Sequence, residues 1–164
     1  MSDKREIASF DESFMLHAIE LAKRGVASNA GGPFGAVIVR DGEIVGEGWN
    51  QVTSTNDPTA HAEIVAIRDA CRRLGRFHLD DCVIYTSCEP CPMCLGAIYW
   101  ARLKKIFYAC DRKDAANIGF SDDLIYKEIN ISPQDRLIPA VNFLREKGLE
   151  AFQAWAEKQD KVPY

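Results

Sequence analysis

The chain has 164 residues, 47% of them hydrophobic and 27% charged, with 20 Lys and Arg against 24 Asp and Glu for a net charge of -4. A chain this long buries about 70% of the surface its unfolded form exposes, enough for one stable domain without disulfide staples. Its mild acidity excludes a general electrostatic pull toward nucleic acid or an anionic membrane, and no apolar run approaches the roughly 20 residues that span a bilayer.

The opening "MSDKREIASF" lacks the apolar stretch of a signal peptide. Without an export signal, Cys71, Cys82, Cys88, Cys91, Cys94 and Cys110 read as reduced thiols, and the expected location is the cytoplasm. "SFDESFMLHAIELAKRG" places Phe14, Ala18, Leu21 and Ala22 at helical spacing, with Gly25 as the expected stop. "GAVIVRDGEIVGEGWN" reads as two strands joined at Asp41-Gly42, the first apolar throughout and so covered on both faces. "NDPTAHAEIVAIRDACRRLG" is the clearest helix, with Asp57 as expected N-cap, Pro58 at the first helical position and Gly75 at the end. The strand "CVIYTS" leads into a helix starting within residues 89–91 and running to about Ala101, and "KKIFYAC" is a further strand. Beyond Cys110 come a loop containing Gly and Asp, a short helix near "DDLIYKEI", and helices in "AVNFLREKG" and "EAFQAWAEKQ". This order predicts α/β layers around a mixed sheet. No repeat, low-complexity segment or linker interrupts it, so residues 1–164 read as a single domain.

"TSCEPCPMCLGA" raises a metal question, because cysteines three apart, backed by a histidine elsewhere, have zinc-ligand spacing. His61, at the start of the clear helix, is the histidine with supporting context; His17 and His78 read as surface or packing residues. An iron–sulfur reading is weakened by "LGAIYW" after Cys94, where a further cysteine would be required. Two zinc readings remain. A closed structural site takes His61, Cys88, Cys91 and Cys94, whereas a catalytic one takes His61 with two cysteines and leaves the fourth position to water. Glu63 favours the open site, since a carboxylate there has a proton to move and in a closed site has none. Residues two apart on a helix point about 200° apart, so His61 and Glu63 converge only at a helix end. Pro90 and Pro92 put Cys91 and Cys94 in a first helical turn, where the helix dipole favours thiolate, and leave Cys88 at the strand exit.

"HAE" at 61–63 followed by "PCPMC" at 90–94 is the H-x-E…P-C-x-x-C signature of zinc nucleobase deaminases. The chain resembles the small bacterial guanine deaminases, a branch of the zinc-dependent cytidine/deoxycytidylate deaminase superfamily. The likeness runs through "GGPFGAVIV", "NDPTAHAE", "TSCEPCPMCLGAIYWAR", "GFSDDLIYKEI" and "FQAW" to Tyr164. It implies a three-layer α/β/α cytidine-deaminase-like fold with a mixed five-stranded sheet. It also implies a homodimer that exchanges its C-terminal segments, about residues 149–164, so that each tail helps close the partner's site.

The implied ligands of one Zn2+ per subunit are His61, Cys91 and Cys94, with Glu63 as proton shuttle. Asn50 and Asp122 fall on positions that contact the base, and Asp122 on a second proton transfer. Phe34, Trp100, Phe120 and Tyr164 fall on the aromatic walls and lid of the pocket, and Ala62 on a further substrate-binding position. The implied reaction is hydrolytic deamination of guanine to xanthine and ammonia, a step of purine catabolism. Read without the resemblance, Asn50 is equally a turn residue or a donor–acceptor for a purine edge, Asp122 a helix cap, and Trp100 and Phe120 core or interface aromatics. "KVPY" would be a frayed end.

The rival readings are related substrates (guanosine, an amino-triazine such as ammeline, cytosine, or tRNA adenosine) and a non-catalytic binding module with a structural zinc. Arg68, Arg72 and Arg76, four apart on one helix, are either a phosphate-contacting stripe or a solvated face broken by Asp69. The mixed-charge, aromatic C-terminus argues against a nucleic-acid partner.

Overall fold

The computed structural model describes residues 11–164, so residues 1–10, the segment read for a signal peptide, lie outside the described residues. Two compact units divide the chain, the first closing at Ser121 and the second covering Asp122–Tyr164.

In the first unit, helix α1 (Glu12–Ala27) starts where the Asp11 carboxylate accepts the Ser13 N–H at 2.9 Å. It buries Met15, Ala18, Leu21 and Ala22 and continues two residues past Gly25, the expected stop, which is buried within it. Strands β1 (Gly35–Arg40) and β2 (Glu43–Trp49) form the expected hairpin. Asp41 (φ 50°) and Gly42 (φ 80°) both take left-handed backbone, as the tightest hairpin turn requires. After the short α2 (Val52–Thr55) come α3 (Ala62–Leu74), β3 (Val83–Cys88), α4 (Pro92–Trp100), β4 (Ile106–Cys110) and α5 (Arg112–Asn117).

The sheet runs β2-β1-β3-β4, with β1 antiparallel to β2 and β3, and β3 parallel to β4. Side chains alternate across it. Ala36, Ile38 and Ile84 pack with Ala62, Ala66, Ala70 and Ile98 of α3 and α4. Val37, Val39 and Tyr85 pack with Met15, Ala18 and Leu21 of α1. Helices therefore cover both faces of a mixed sheet, which is why β1 is buried almost throughout.

The sheet has four strands among the described residues, not the five expected. In the second unit, which contains no strand, the Ala140 N–H bonds the Pro133 carbonyl at 2.9 Å. That unit holds α6 (Asp123–Ile129), a 3-10 turn (Pro133–Asp135) and α7 (Arg145–Glu157). One helix running through Gly148 replaces the two expected there, and residues 141–144 stay outside it.

The start of α3 also differs from expectation. Asp57 does not cap it; its carboxylate accepts the Thr59 N–H at 2.8 Å and the Thr59 hydroxyl at 2.6 Å, closing a local turn. His61 becomes the N-cap residue, with extended backbone (φ -68°, ψ 155°), and the helix begins at Ala62. The loop expected after Cys110 contains α5, secured by a capping box in which Asp111 and Asp114 each bond the other's backbone. No described helix is long and apolar enough to cross a membrane.

Close contact between β2 and α3 fixes where that N-terminus sits. A Cβ on Gly48 would lie 2.6 Å from the Ala62 carbonyl oxygen and 2.6 Å from the Ala66 nitrogen, both backbone atoms that cannot swing away. Gly48→Ala should therefore cost about 1–3 kcal/mol by overpacking. A lowered denaturant midpoint with an unchanged m-value is the expected reading, and an unchanged midpoint would contradict this packing account.

Candidate metal centre and active site

β3 ends at Cys88 and α4 starts at Pro92, so the connecting residues lie just beyond a strand's carboxyl end, where α/β sheets commonly place their ligands. Cys91 is the N-cap residue of α4, and Cys94 is buried within the first turn. The neighbouring N-terminus, that of α3, presents His61. The His61 N–H bonds the Thr59 carbonyl at 2.8 Å, and the Gln51 N–H bonds the Ala60 carbonyl at 2.9 Å, so the preceding loop is held on both sides.

These two helix starts bring three ligand atoms together. His61 Nδ1 lies 3.5 Å from Cys91 Sγ and 3.5 Å from Cys94 Sγ, and all three atoms fall within 4.8 Å of one another. Zinc bonds of about 2.0–2.1 Å to nitrogen and about 2.3 Å to sulfur at tetrahedral angles separate N from S by about 3.5 Å, so the donor set and its spacing fit zinc. It is the one such group of three among the described residues.

The charges fit as well. A hydrogen bond with Cys94 pulls the Cys91 thiol down to about 4, with the His61 contact acting in the same direction against burial. The Cys94 thiol is pushed up by that same bond and by burial. Metal binding takes both sulfurs as thiolates and so releases protons. Cys88 stands apart: its Sγ faces the Asp111 carbonyl oxygen at 3.6 Å, and burial first of all pushes its thiol up to about 12.

Glu63 lies in the first turn of α3 and is only 6% exposed. Burial raises its pKa, favouring a carboxyl that can hold a proton. The extended backbone at His61 is what lets side chains two residues apart share one site. Thr86, buried on β3, places its hydroxyl 3.4 Å from Glu63 Oε1 and 3.0 Å from the Cys88 carbonyl oxygen. Nothing in the motif spacing marks Thr86; the signal available was a polar residue in the otherwise apolar run "VIYT".

Asn50, 4% exposed, follows β2. Its Oδ1 accepts the Gly32 N–H at 3.2 Å and the Val52 N–H at 3.1 Å. The acceptor expected to read a ligand is thus taken up by the fold, and the amide NH2 is the group left for one. Phe34 and Phe120 meet edge to face with centroids 5.1 Å apart and ring planes at 90°. Ala62 is fully buried, while Trp100 closes α4 with 70% exposure. Asp122 and Tyr164 belong to the second unit. Asp122 occupies the N-cap position of α6, where its side chain makes no capping bond.

The sequence family described as the cytidine and deoxycytidylate deaminase zinc-binding region matches residues 8–110. A guanine deaminase of Bacillus subtilis (strain 168) is 56% identical over 153 residues, covering 93% of this chain and 98% of that protein. The X-ray structure of guanine deaminase from Bacillus subtilis superposes with a TM-score of 0.92 at 55% identity, covering 95% of this chain and 99% of that one. A tRNA-specific adenosine deaminase of Haemophilus influenzae is 43% identical over 121 residues, 71% of this chain and 69% of that protein.

Proposed function

Because the chain belongs to the cytidine and deoxycytidylate deaminase family, we propose that it hydrolyses guanine to xanthine and ammonia, with His61, Cys91 and Cys94 holding a catalytic zinc ion. The observation that carries this reading is a buried carboxylate, Glu63, beside three metal donors rather than four. Guanine is favoured over tRNA adenosine because likeness to the Bacillus guanine deaminase extends over 93% of the chain, against 71% for the Haemophilus tRNA enzyme.

Zinc, when bound, supplies a water whose pKa falls from 15.7 to about 7. Glu63 Oε takes a proton from the attacking water and gives it to the ring nitrogen beside C2. Water adds at C2, the proton left on the added oxygen passes to the exocyclic amino group, which departs as ammonia, and a carbonyl remains at C2. Asp122 carries that second proton. The Asn50 amide NH2 donates to an acceptor on the base edge, which selects an oxo-purine over an amino-purine there. Phe34 and Phe120 with Trp100 bound the plane of the base, Ala62 floors it, and Tyr164 closes it.

The surface supports a second copy of this chain as partner. No residue of the second unit is buried, and Ile138, Val141, Phe143 and Phe152 are each at least 75% exposed. An apolar surface of that kind marks an interface. In this reading the C-terminal segment, about residues 149–164, is exchanged between subunits and brings Tyr164 to the partner's site. The arginine stripe gives no support to a tRNA partner: Arg68 pairs with Asp57 at 3.6 Å, Arg72 with Asp69, and Arg76 with Asp81. Each of the three thus has a carboxylate neighbour, with Arg72 sharing Asp69 with Arg73.

The test is ammonia release, followed with ultraviolet spectra, from zinc-loaded protein given guanine, guanosine, ammeline, cytosine or adenine. Fast release from guanine with xanthine appearing is expected. Release from another member of the panel, with guanine inert and zinc bound, would keep the deaminase and overturn the substrate.

A further inference from the structure

We propose that Glu89 is a positioning residue for the metal centre, its carboxylate fastening the loop that carries Cys91 to the first residue of α5. Glu89, Pro90 and Cys91 alone connect β3 to α4. Two hydrogen bonds made by Glu89 hold this loop. Its backbone N–H bonds the Cys110 carbonyl at 2.8 Å, carrying the parallel ladder one step past the Cys88–Cys110 pair. Its Oε2 accepts the Arg112 N–H at 3.0 Å. Pro90 and Pro92 have no N–H, so this stretch has few backbone donors with which to anchor itself.

The anchor at the far end is firm. Arg112 is the first residue of α5, and an N–H at that position has no partner within its own helix. Asp111 and Asp114 lock the same turn through their capping box. A continuous linkage thus runs from the start of α5 through the Glu89 carboxylate and the rigid Pro90 to the Cys91 sulfur. Glu89 itself is not among the three metal donors. Removing its carboxylate frees the loop to move Cys91 and leaves the Arg112 N–H without its acceptor. Groups that orient metal ligands from outside commonly change metal affinity about 10–100-fold when lost.

This inference rests on the zinc reading of the site, and the test separates the two. Zinc-loaded full-length protein is mixed with excess chelator and metal release is timed. Glu89→Ala is expected to release zinc about tenfold faster or more. Glu89→Gln keeps an amide oxygen for the Arg112 N–H and is expected to stay within about threefold of the unmodified chain. A second comparison leaves Glu89 in place. Arg112→Pro removes the N–H at a first helical position that proline tolerates, following an Asp111 backbone (φ -94°, ψ 176°) compatible with proline.

Arg112→Ala removes the same side chain but keeps the N–H, so faster release from Arg112→Pro than from Arg112→Ala isolates the bond. Cobalt(II) bound in place of zinc should show altered thiolate charge-transfer bands in Glu89→Ala and restored bands in Glu89→Gln, a change that general destabilisation would not produce. Equal release from Glu89→Ala and the unmodified chain, or from the two Arg112 variants, would overturn the proposal. An unmodified chain that binds no zinc would instead overturn the metal reading itself.

Discussion

Glu63→Gln keeps its zinc and loses turnover of guanine by about 10²–10⁴-fold, the range over which a positioned proton carrier accelerates a reaction. The substitution is nearly isosteric in a site where Glu63 is 6% exposed, so packing changes little. Gln still offers an oxygen to the Thr86 hydroxyl, 3.4 Å from Oε1 in the native chain. It cannot hold and hand over a proton. Since the carboxylate acts on charge that develops during reaction, kcat should fall while KM changes little. Burial raises the carboxyl pKa, so the carboxylate that takes the water's proton is a stronger base than an exposed one, and an amide cannot take that proton at all. Turnover within tenfold of the native value, with zinc in place, would remove Glu63 from the proton path.

Cys94→Ala empties the centre. Cys94 is fully buried and holds its Sγ 3.5 Å from His61 Nδ1, so its loss leaves His61 and Cys91 to hold a cation that requires at least three protein donors. Zinc per chain should drop from about one to near zero, and guanine turnover with it. Stability follows by mass action. With free zinc about 1,000-fold above its dissociation constant, the native chain gains about 4 kcal/mol over its zinc-free form, and the variant gains none. Its melting temperature should match that of the native chain treated with a chelator. A variant that keeps stoichiometric zinc would show that the ligand set is drawn wrongly.

The metal centre was legible in the sequence because its spacing is local. His61 with Glu63, and Cys91 with Cys94, each sit within one turn of a helix start, and prolines beside them limit how the backbone enters. The way His61 and Glu63 converge was less legible. Asp57 and Pro58 carry the composition of a helix start, yet Asp57 spends its carboxylate on Thr59, and the helix waits until Ala62. A competing local turn won, and only long-range packing of Gly48 against Ala62 and Ala66 shows where the helix belongs.

Other misses share a cause. The six residues of α5 are too few for helical periodicity, so the Asp111–Asp114 box passed for loop polarity. Likeness implies a fifth strand, whereas the sheet has four among the described residues. Asn50 offers donor and acceptor on sequence grounds, but which half of the amide the fold consumes depends on Gly32, 18 residues away, as well as on the neighbouring Val52. Thr86 and Glu89 sit in no spacing rule at all, since each acts through contacts with other elements.

X-ray absorption at the zinc edge of the purified protein tests most directly whether the metal does chemistry or braces the fold. The expected ligand shell is two sulfurs at about 2.3 Å and two light atoms at about 2.0–2.1 Å, the second light atom being water. Three sulfurs with one nitrogen would place Cys88 on the metal, close the fourth position, and contradict an active centre at His61, Cys91 and Cys94.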